Sequence, residues 1–393
     1  MSFDIYSLPI SVSCDVLGMW LTLKPVVFLD SAFCSCSKRF LFHKLLEAKE
    51  FVLHDPVTLP NKRLLVWLKQ RSMKVSSMTF TGAIQPHELL CYIIQFGNAL
   101  RNLNFDRAAN ISDTMFIIAS YCKKIKTVRC SGVTLPHAFP ALLANNPNIT
   151  DIKIKDTNSV HISTDHVYLP HLESLSLIDV ECNTGWSLLK SNRSITRIEC
   201  VRIPPQFFHD IDIPRPCLRS LSLKRSIVAH AKVVSFLSAN VNLVNLDLSY
   251  NDKIKNDTIL YAVKNLFSLR TLSIQHTETT DLCLTHIAQY CGDRLETLYA
   301  NIRNPTVPAT EQIVKTLSKK CLVLKHLNVY SERALCSGSC AFSLIQGCPS
   351  MTMLESNHIG RTACCFAALF RPQLKIVMSY GNNIPYDVLT LPI

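Results

Sequence analysis

The chain has 393 residues, with 41 Lys or Arg against 29 Asp or Glu, a formal net charge of +12. Apolar residues make up 48% and charged ones 18%, enough to bury a core, which excludes a disordered chain. With only 10 glycines and neither G-x-G-x-x-G nor G-x-x-x-x-G-K, a glycine-rich phosphate loop is excluded too. The length exceeds what one core serves, so two domains or a repeat array are expected. The basic excess would suit an acidic partner, but no basic run exceeds two residues, and nucleic-acid binding is not expected. The apolar stretch after Pro9 is broken by Asp15, Lys24 and Asp30, so neither a signal peptide nor a membrane span is expected. Seventeen cysteines without a spacing framework read as free thiols in a reducing compartment, the cytoplasm or the nucleus. The sequons at Asn110, Asn148, Asn192 and Asn256 then read as chance matches.

In chain order, residues 1–45 come first, with short helices expected over Val12, Val16, Leu17 and Trp20, then over Val26, Val27, Leu29 and Ala32. Between them Leu21 and Leu23 flank a turn into Lys24-Pro25. Leu8-Pro9, an apolar helix, a short joint and a second helix resemble an F-box, a helical module that docks on a Skp-type adaptor of cullin-based ubiquitin ligases. The resemblance implies adaptor contacts from Leu8, Pro9, Val16, Leu17, Leu21, Val26 and Leu29. The pattern departs at Ser11, where an acidic residue is usual, at Pro25, where Asp is common, and at Cys36, near the usual Trp. Read from the residues alone, the same helices serve equally as a cap over the first repeat's apolar edge. Residues 46–73, with Pro56, Pro60 and the run Leu64, Leu65, Trp67, Leu68, read as a connector and cap packing a helix on the first strand, Trp67 in the core.

From residue 74 to 393 a pattern φ-x-x-φ-x-φ, with φ apolar, recurs in about 13 units. It is clearest at Leu172–Leu177, Leu218–Leu223, Leu243–Leu248 and Leu269–Ile274. Weaker copies start at Val75, Leu100, Ile125, Ile149, Ile195, Leu295, Leu324, Met351 and Leu374. Starts lie 23 to 29 residues apart. The last two φ positions are two apart and share one face of a strand. Between strands the apolar spacing becomes helical, as in Ile259, Val263, Leu266 and in Leu284, Ile287 with Tyr290 or Cys291. The expected fold is α/β: parallel strands lining a concave face, helices outside. This resembles the leucine-rich-repeat family, and Cys122, Cys291, Cys321 and Cys348 late in helices resemble its intracellular, cysteine-containing subtype. That subtype's asparagine after the strand is kept best at Asn251.

No chemistry is expected. Cys34-x-Cys36, Cys336-x3-Cys340 and Cys364-Cys365 lack zinc-finger spacing, and no nucleophile constellation follows from spacing, so no metal, cofactor or catalytic residue is assigned. Strand residues between the φ positions face the groove: Arg129, Lys153, Lys155, Arg197 and Lys224 with Asp151 and Glu199, then Tyr299, Asn301, His326, Asn328, Tyr330, Met353, Asn357, Met378 and Tyr380. Of these, Tyr299, His326, Tyr330, Asn357 and Tyr380 are the candidate partner-binding patch, or else positions covered by a C-terminal tail. The two resemblances together imply a substrate-recognition subunit of a cullin-type ubiquitin ligase, bound to a Skp-type adaptor and cullin and to a protein substrate. The alternative is a cytosolic repeat scaffold without a ubiquitin link. A GTPase-activating repeat protein fits less well, since its repeats run nearer about 28–29 residues.

Overall fold

A parallel strand with one apolar face must find a neighbour on each side, and the repeat supplies one every turn of the solenoid. The computed structural model describes residues 9, 12–14, 17, 22–32, 36–48, 51–54, 56–59, 62–83, 85–157, 164, 167–180, 184–203, 214–226, 228–302, 307–331, 338–356, 359 and 361–378. It divides into two units, residues 1–194 and 195–393.

The first unit opens with helices α1 (Leu23–Ala32) and α2 (Cys36–Glu47), then β1 (Val52–Leu53), β2 (Val57–Leu59), α3 (Lys62–Gln70) and β3 (Lys74–Val75). There follow β4 (Ser77–Ala83), α4 (Pro86–Phe96), β5 (Asn102–Ala109), α5 (Ile111–Tyr121), β6 (Thr127–Ser131) and α6 (Phe139–Ala144). It closes with β7 (Asp151–Thr157), β8 (Ser174–Val180) and α7 (Thr184–Ser191). The second unit alternates β9 (Arg197–Val201), β10 (Ser220–Lys224), α8 (His230–Ala239), β11 (Asn245–Asp247), α9 (Asn256–Asn265), β12 (Thr271–Ile274) and α10 (Leu282–Cys291). Then come β13 (Thr297–Ile302), α11 (Val307–Lys320), β14 (His326–Ser331), α12 (Gly338–Gly347), β15 (Met353–Ser356), α13 (Arg361–Phe370) and β16 (Lys375–Met378).

Within the first unit β2, β4, β5, β6, β7 and β8 form a parallel ladder in chain order, and within the second β9 to β16 do the same. Each strand from β4 to β16 lies on one of the 13 expected units. The φ residues are buried as expected: Leu172, Leu175 and Leu177, and Leu243, Leu246 and Leu248, are each at most 1% exposed. The helical spacing holds as well, with Ile259, Val263 and Leu266 buried, and Cys291 rather than Tyr290 completing α10's inner face.

Two features differ from expectation. The connector contributes two strands, Val52–Leu53 pairing with Lys74–Val75 and Val57–Leu59 with Met78–Phe80. The last strand is also shifted by one residue. Leu354 pairs with Ile376 and Ser356 with Met378, so Met378 takes a position that faces inward in other units, not the groove. A one-residue slip exchanges the two faces of a strand. Ile376-Val377-Met378 is apolar without alternation, so local sequence did not specify the register there. Tyr380 lies outside the described residues.

The eighth residue of nine consecutive repeats is in the left-handed region: Gly82, Arg107, Gly132, Asp156, Asp179, Arg202, Arg225, Tyr250 and His276, with φ between 49° and 65°. Period-2 alternation alone would aim these side chains into the core. The left-handed residue turns them out and lets the next residue face in: Thr157, Ile203, Ser226, Asn251 and Thr277 are at most 3% exposed. A non-glycine residue there costs roughly 1–2 kcal/mol. The freed N–H offsets part of that cost by bonding to the next strand, as from Arg202 to Lys224 O at 2.9 Å and from Tyr250 to Gln275 O at 2.7 Å.

At the helix exits two chemistries alternate. Cys122, Cys291, Cys321 and Cys348 are wholly buried, and burial pushes the Cys122, Cys291 and Cys348 thiols up to about 12, leaving them neutral. In other repeats a buried amide stands there. Asn146 accepts from Ile125 N and donates to Cys122 O and Leu142 O, each at 2.9 Å, and Asn192 and Asn240 likewise accept from a backbone N–H and donate to the carbonyl four residues back. Asn146→Ala leaves the Ile125 N–H without an acceptor and should cost about 1–3 kcal/mol. A urea melt that matches wild type would remove the amide's structural role.

One carboxylate ties α1 to α2 and to the end of α3. Asp30, 4% exposed on α1, contacts His43 Nε2 on α2 at 2.7 Å and Arg71 Nε, just past α3, at 2.9 Å, with Arg39 at 3.7 Å. Burial raises its pKa, but the hydrogen bonds and charges of His43 and Arg71 outweigh that, and the net shift is downward. A depressed folded pKa means stability present above the unfolded carboxylate value, about 3.9, and lost as pH falls through the folded one. Acidification should therefore release α1 before the repeats melt. Limited proteolysis between pH 6 and pH 3 should show early cleavage in residues 22–48 of wild type, and Asp30→Asn should show it already at neutral pH. Equal resistance of both proteins at every pH would dismiss the tether.

Candidate protein-interaction face

Positions three, five and seven of each unit line one face of the strands. In the second unit the central row runs Glu199, Ser222, Asp247, Ser273, Tyr299, Asn328, Glu355, each in register with the next. Parallel strands lie about 4.8 Å apart, so the row is a ladder of side chains at that spacing. Between β9 and β13 it forms a groove of about 530 Å³. Its floor is small and polar (Ser220, Ser222, Asn245, Thr271, Ser273), with Arg197 and Glu199 at one end and Tyr299 at the other. Lys224 Nζ sits 2.9 Å from Asp247 Oδ2. Burial would lower the Lys224 pKa, but Asp247, Glu199 and Tyr250 raise it overall and keep the ammonium charged.

At the far end the structure brings two of the five expected patch residues together. The Tyr299 hydroxyl lies 3.1 Å from His326 Nδ1, with the rings edge to face at 4.8 Å. Burial, with Glu355 and Asp247, raises the Tyr299 pKa, so the phenol stays protonated and donates. His326 Nε2 lies 3.5 Å from Glu355 Oε1, an electrostatic contact. Asn328 Nδ2 donates to Glu355 Oε2, and Gln275 Nε2 donates to Asn328 Oδ1 at 3.1 Å. This network fixes the side chains of β12 to β15 before any partner arrives, which lowers the entropy cost of binding. Tyr330 is in β14 opposite Asn301, though its side chain, like Asn357 and Tyr380, lies outside the described residues.

Sequence reasoning missed Glu355, which turns an aromatic patch into a hydrogen-bonded acidic one, and missed the left-handed row. On that row Arg225 Cζ lies 4.7 Å over the Tyr250 ring, Tyr250 stacks on His276 at 4.6 Å and 16°, and His276 meets Asn301 Nδ2 at 3.2 Å. The signal was present: the eighth residue is polar, aromatic or glycine in all nine repeats, where alternation calls for an apolar one.

Among the expected adaptor contacts, Pro9 is exposed, and Leu17 and Leu29 are half-buried. Val26 is a correction: it is 0% exposed, turned inward in α1's first turn, and cannot contact an adaptor while the helix is in place. Leu8, Val16 and Leu21 lie outside the described residues. Among the described side chains of α1 and α2 the exposed large apolar residues are instead Val27, Phe40 and Leu41, with Lys44 Nζ 4.6 Å over the Phe40 ring. Among the described residues no three His, Cys, Asp or Glu side chains converge to hold a metal ion, and no helix is long and apolar enough to cross a membrane.

No family model and no curated protein matches the chain. Solved structures do. The yeast complex of Rad7 and Elc1 superposes with a TM-score of 0.53 at 15% identity, over 96% of this chain and 98% of that one. A leucine-rich-repeat protein of Leptospira interrogans gives 0.49 at 14% identity, over 86% and 91%. The repeating strand–helix units and their parallel ladder, a fold shared with the yeast complex, make the chain a leucine-rich-repeat solenoid.

Proposed function

We propose that the chain is a protein-binding scaffold, and more specifically the substrate-recognition subunit of a cullin-type ubiquitin ligase in the cytoplasm or nucleus. What carries the scaffold reading is the groove of the second unit, preorganised by the Tyr299–His326–Glu355–Asn328 network and open to a partner. Catalysis would be by proximity alone: the groove holds a target while an adaptor and cullin, docked on the N-terminal helices, bring the ubiquitin-charged enzyme. The F-box resemblance supports the ligase link. So does the exposure of Val27, Phe40 and Leu41, an apolar set that a free-standing cap has no reason to present to water. The yeast neighbour, a repeat chain in complex with a second protein, agrees with a scaffold role.

A second reading has its own observation. The burial of Val26 and the Asp30 tether are what a cap needs, and favour a scaffold whose α1 and α2 only shield the first repeats.

Adaptor capture separates the two readings. Purified full-length chain should retain a purified Skp-type adaptor, and Phe40→Glu with Leu41→Glu should reduce that by about tenfold or more while the melting temperature stays put. If wild type retains no Skp-type adaptor, the ligase reading is abandoned and the cap reading stands.

A further inference from the structure

We infer that the left-handed edge of the second unit, Arg225, Tyr250 and His276, acts with Arg197 to bind an acidic peptide segment of a partner protein along β9 to β12. The inference rests on the scaffold reading and names the chemistry of what the groove takes.

Several cations along the sheet face have a carboxylate close by: Arg129 has Asp151 at 3.9 Å, Lys155 has Asp156 at 3.5 Å, and Lys224 has Asp247 at 2.9 Å. Arg197 and Arg225 are exposed, and among the described residues neither has a carboxylate partner. The two differ in how they are held. Arg197 opens the third-position row on β9, beside Ser220. Arg225 follows β10 in a left-handed turn, its guanidinium laid over Tyr250, which is itself stacked on His276. Stacking engages the flat face of a guanidinium and leaves its N–H fork free in the plane, the arrangement that receives a carboxylate with two bonds. A lysine could not be presented that way.

The spacing sets the ligand's form. Arg197 and Arg225 stand at the two ends of neighbouring strands, five positions apart in the repeat, roughly 16 Å at strand rise. Between them on the same face lie Glu199 on β9 and Ser220, Ser222 and Lys224 on β10, and Lys224 is paired with Asp247. The ligand is thus an extended segment with acidic residues about five apart.

The probe is a short dye-labelled peptide with Glu-Asp at either end, read by fluorescence anisotropy against the full chain without any adaptor. Its companion carries Gln and Asn for the acids. Wild type should bind the acidic peptide, more weakly as salt rises, and should not bind the amide peptide. Arg197→Glu with Arg225→Glu should weaken binding at least about tenfold, about 1.4 kcal/mol. Tyr250→Ala, which keeps every charge, should also weaken it. The charge-matched control Lys124→Glu with Lys126→Glu, at exposed positions of the first unit, should leave it within about twofold. Circular dichroism establishes that each variant is folded. Equal losses from both charge pairs would mean diffuse attraction to a basic protein and overturn the inference. So would absent binding, or a single-stranded oligonucleotide of equal charge that binds more tightly through the same two arginines. Since no adaptor takes part, a failure here leaves the ubiquitin reading to its own test.

Discussion

Everything in this structure depends on the parallel ladder, in which each strand is half a surface until its neighbours arrive. The apolar residues at the first, fourth and sixth positions are buried in almost every unit because the strand-to-strand spacing stacks like positions on like. That stacking converts sequence periodicity into spatial rows. The core, the buried amides and thiols at the helix exits, and the groove are parallel rows of one lattice, so each can change chemistry while the lattice stays. Asn146 and Cys122 show the exchange, one bridging three backbone groups and the other filling the place with a neutral, polarisable side chain.

Much of this was legible in the sequence. LESLSL and LVNLDL announce strands, and Ile259, Val263 and Leu266 announce the helix between, because alternation and helical spacing are set by backbone geometry that any sequence must obey. What stayed hidden was what geometry leaves open. Ile376-Val377-Met378 could sit in either register, and pairing with β15 settled it. The strand at Val57–Leu59 is too short to carry a pattern, and its neighbour alone makes it a strand. Val26 matched a docking motif by position while the fold turned it inward.

The site was legible in part for the same reason. Tyr299 and His326 were found because they stand at alternating positions of strongly patterned strands. Glu355 was passed over because an acid beside an aromatic patch looks like solvent-facing punctuation until His326 and Asn328 are seen to face it. The eighth-position residues were passed over because alternation was carried one step beyond the strand, where the backbone changes hand.

That change of hand also sets how the edge can vary. The strain of a left-handed residue falls on its Cβ, and aspartate and histidine bear it more easily than arginine or tyrosine, so an exchange among them changes the strain by only a part. Only glycine escapes it, as at Gly82 and Gly132, and it does so by surrendering the side chain. Along this edge the solenoid is therefore close to indifferent to which residue it displays. Specificity for a partner can be rewritten there one repeat at a time, with stability of the core held apart from the change.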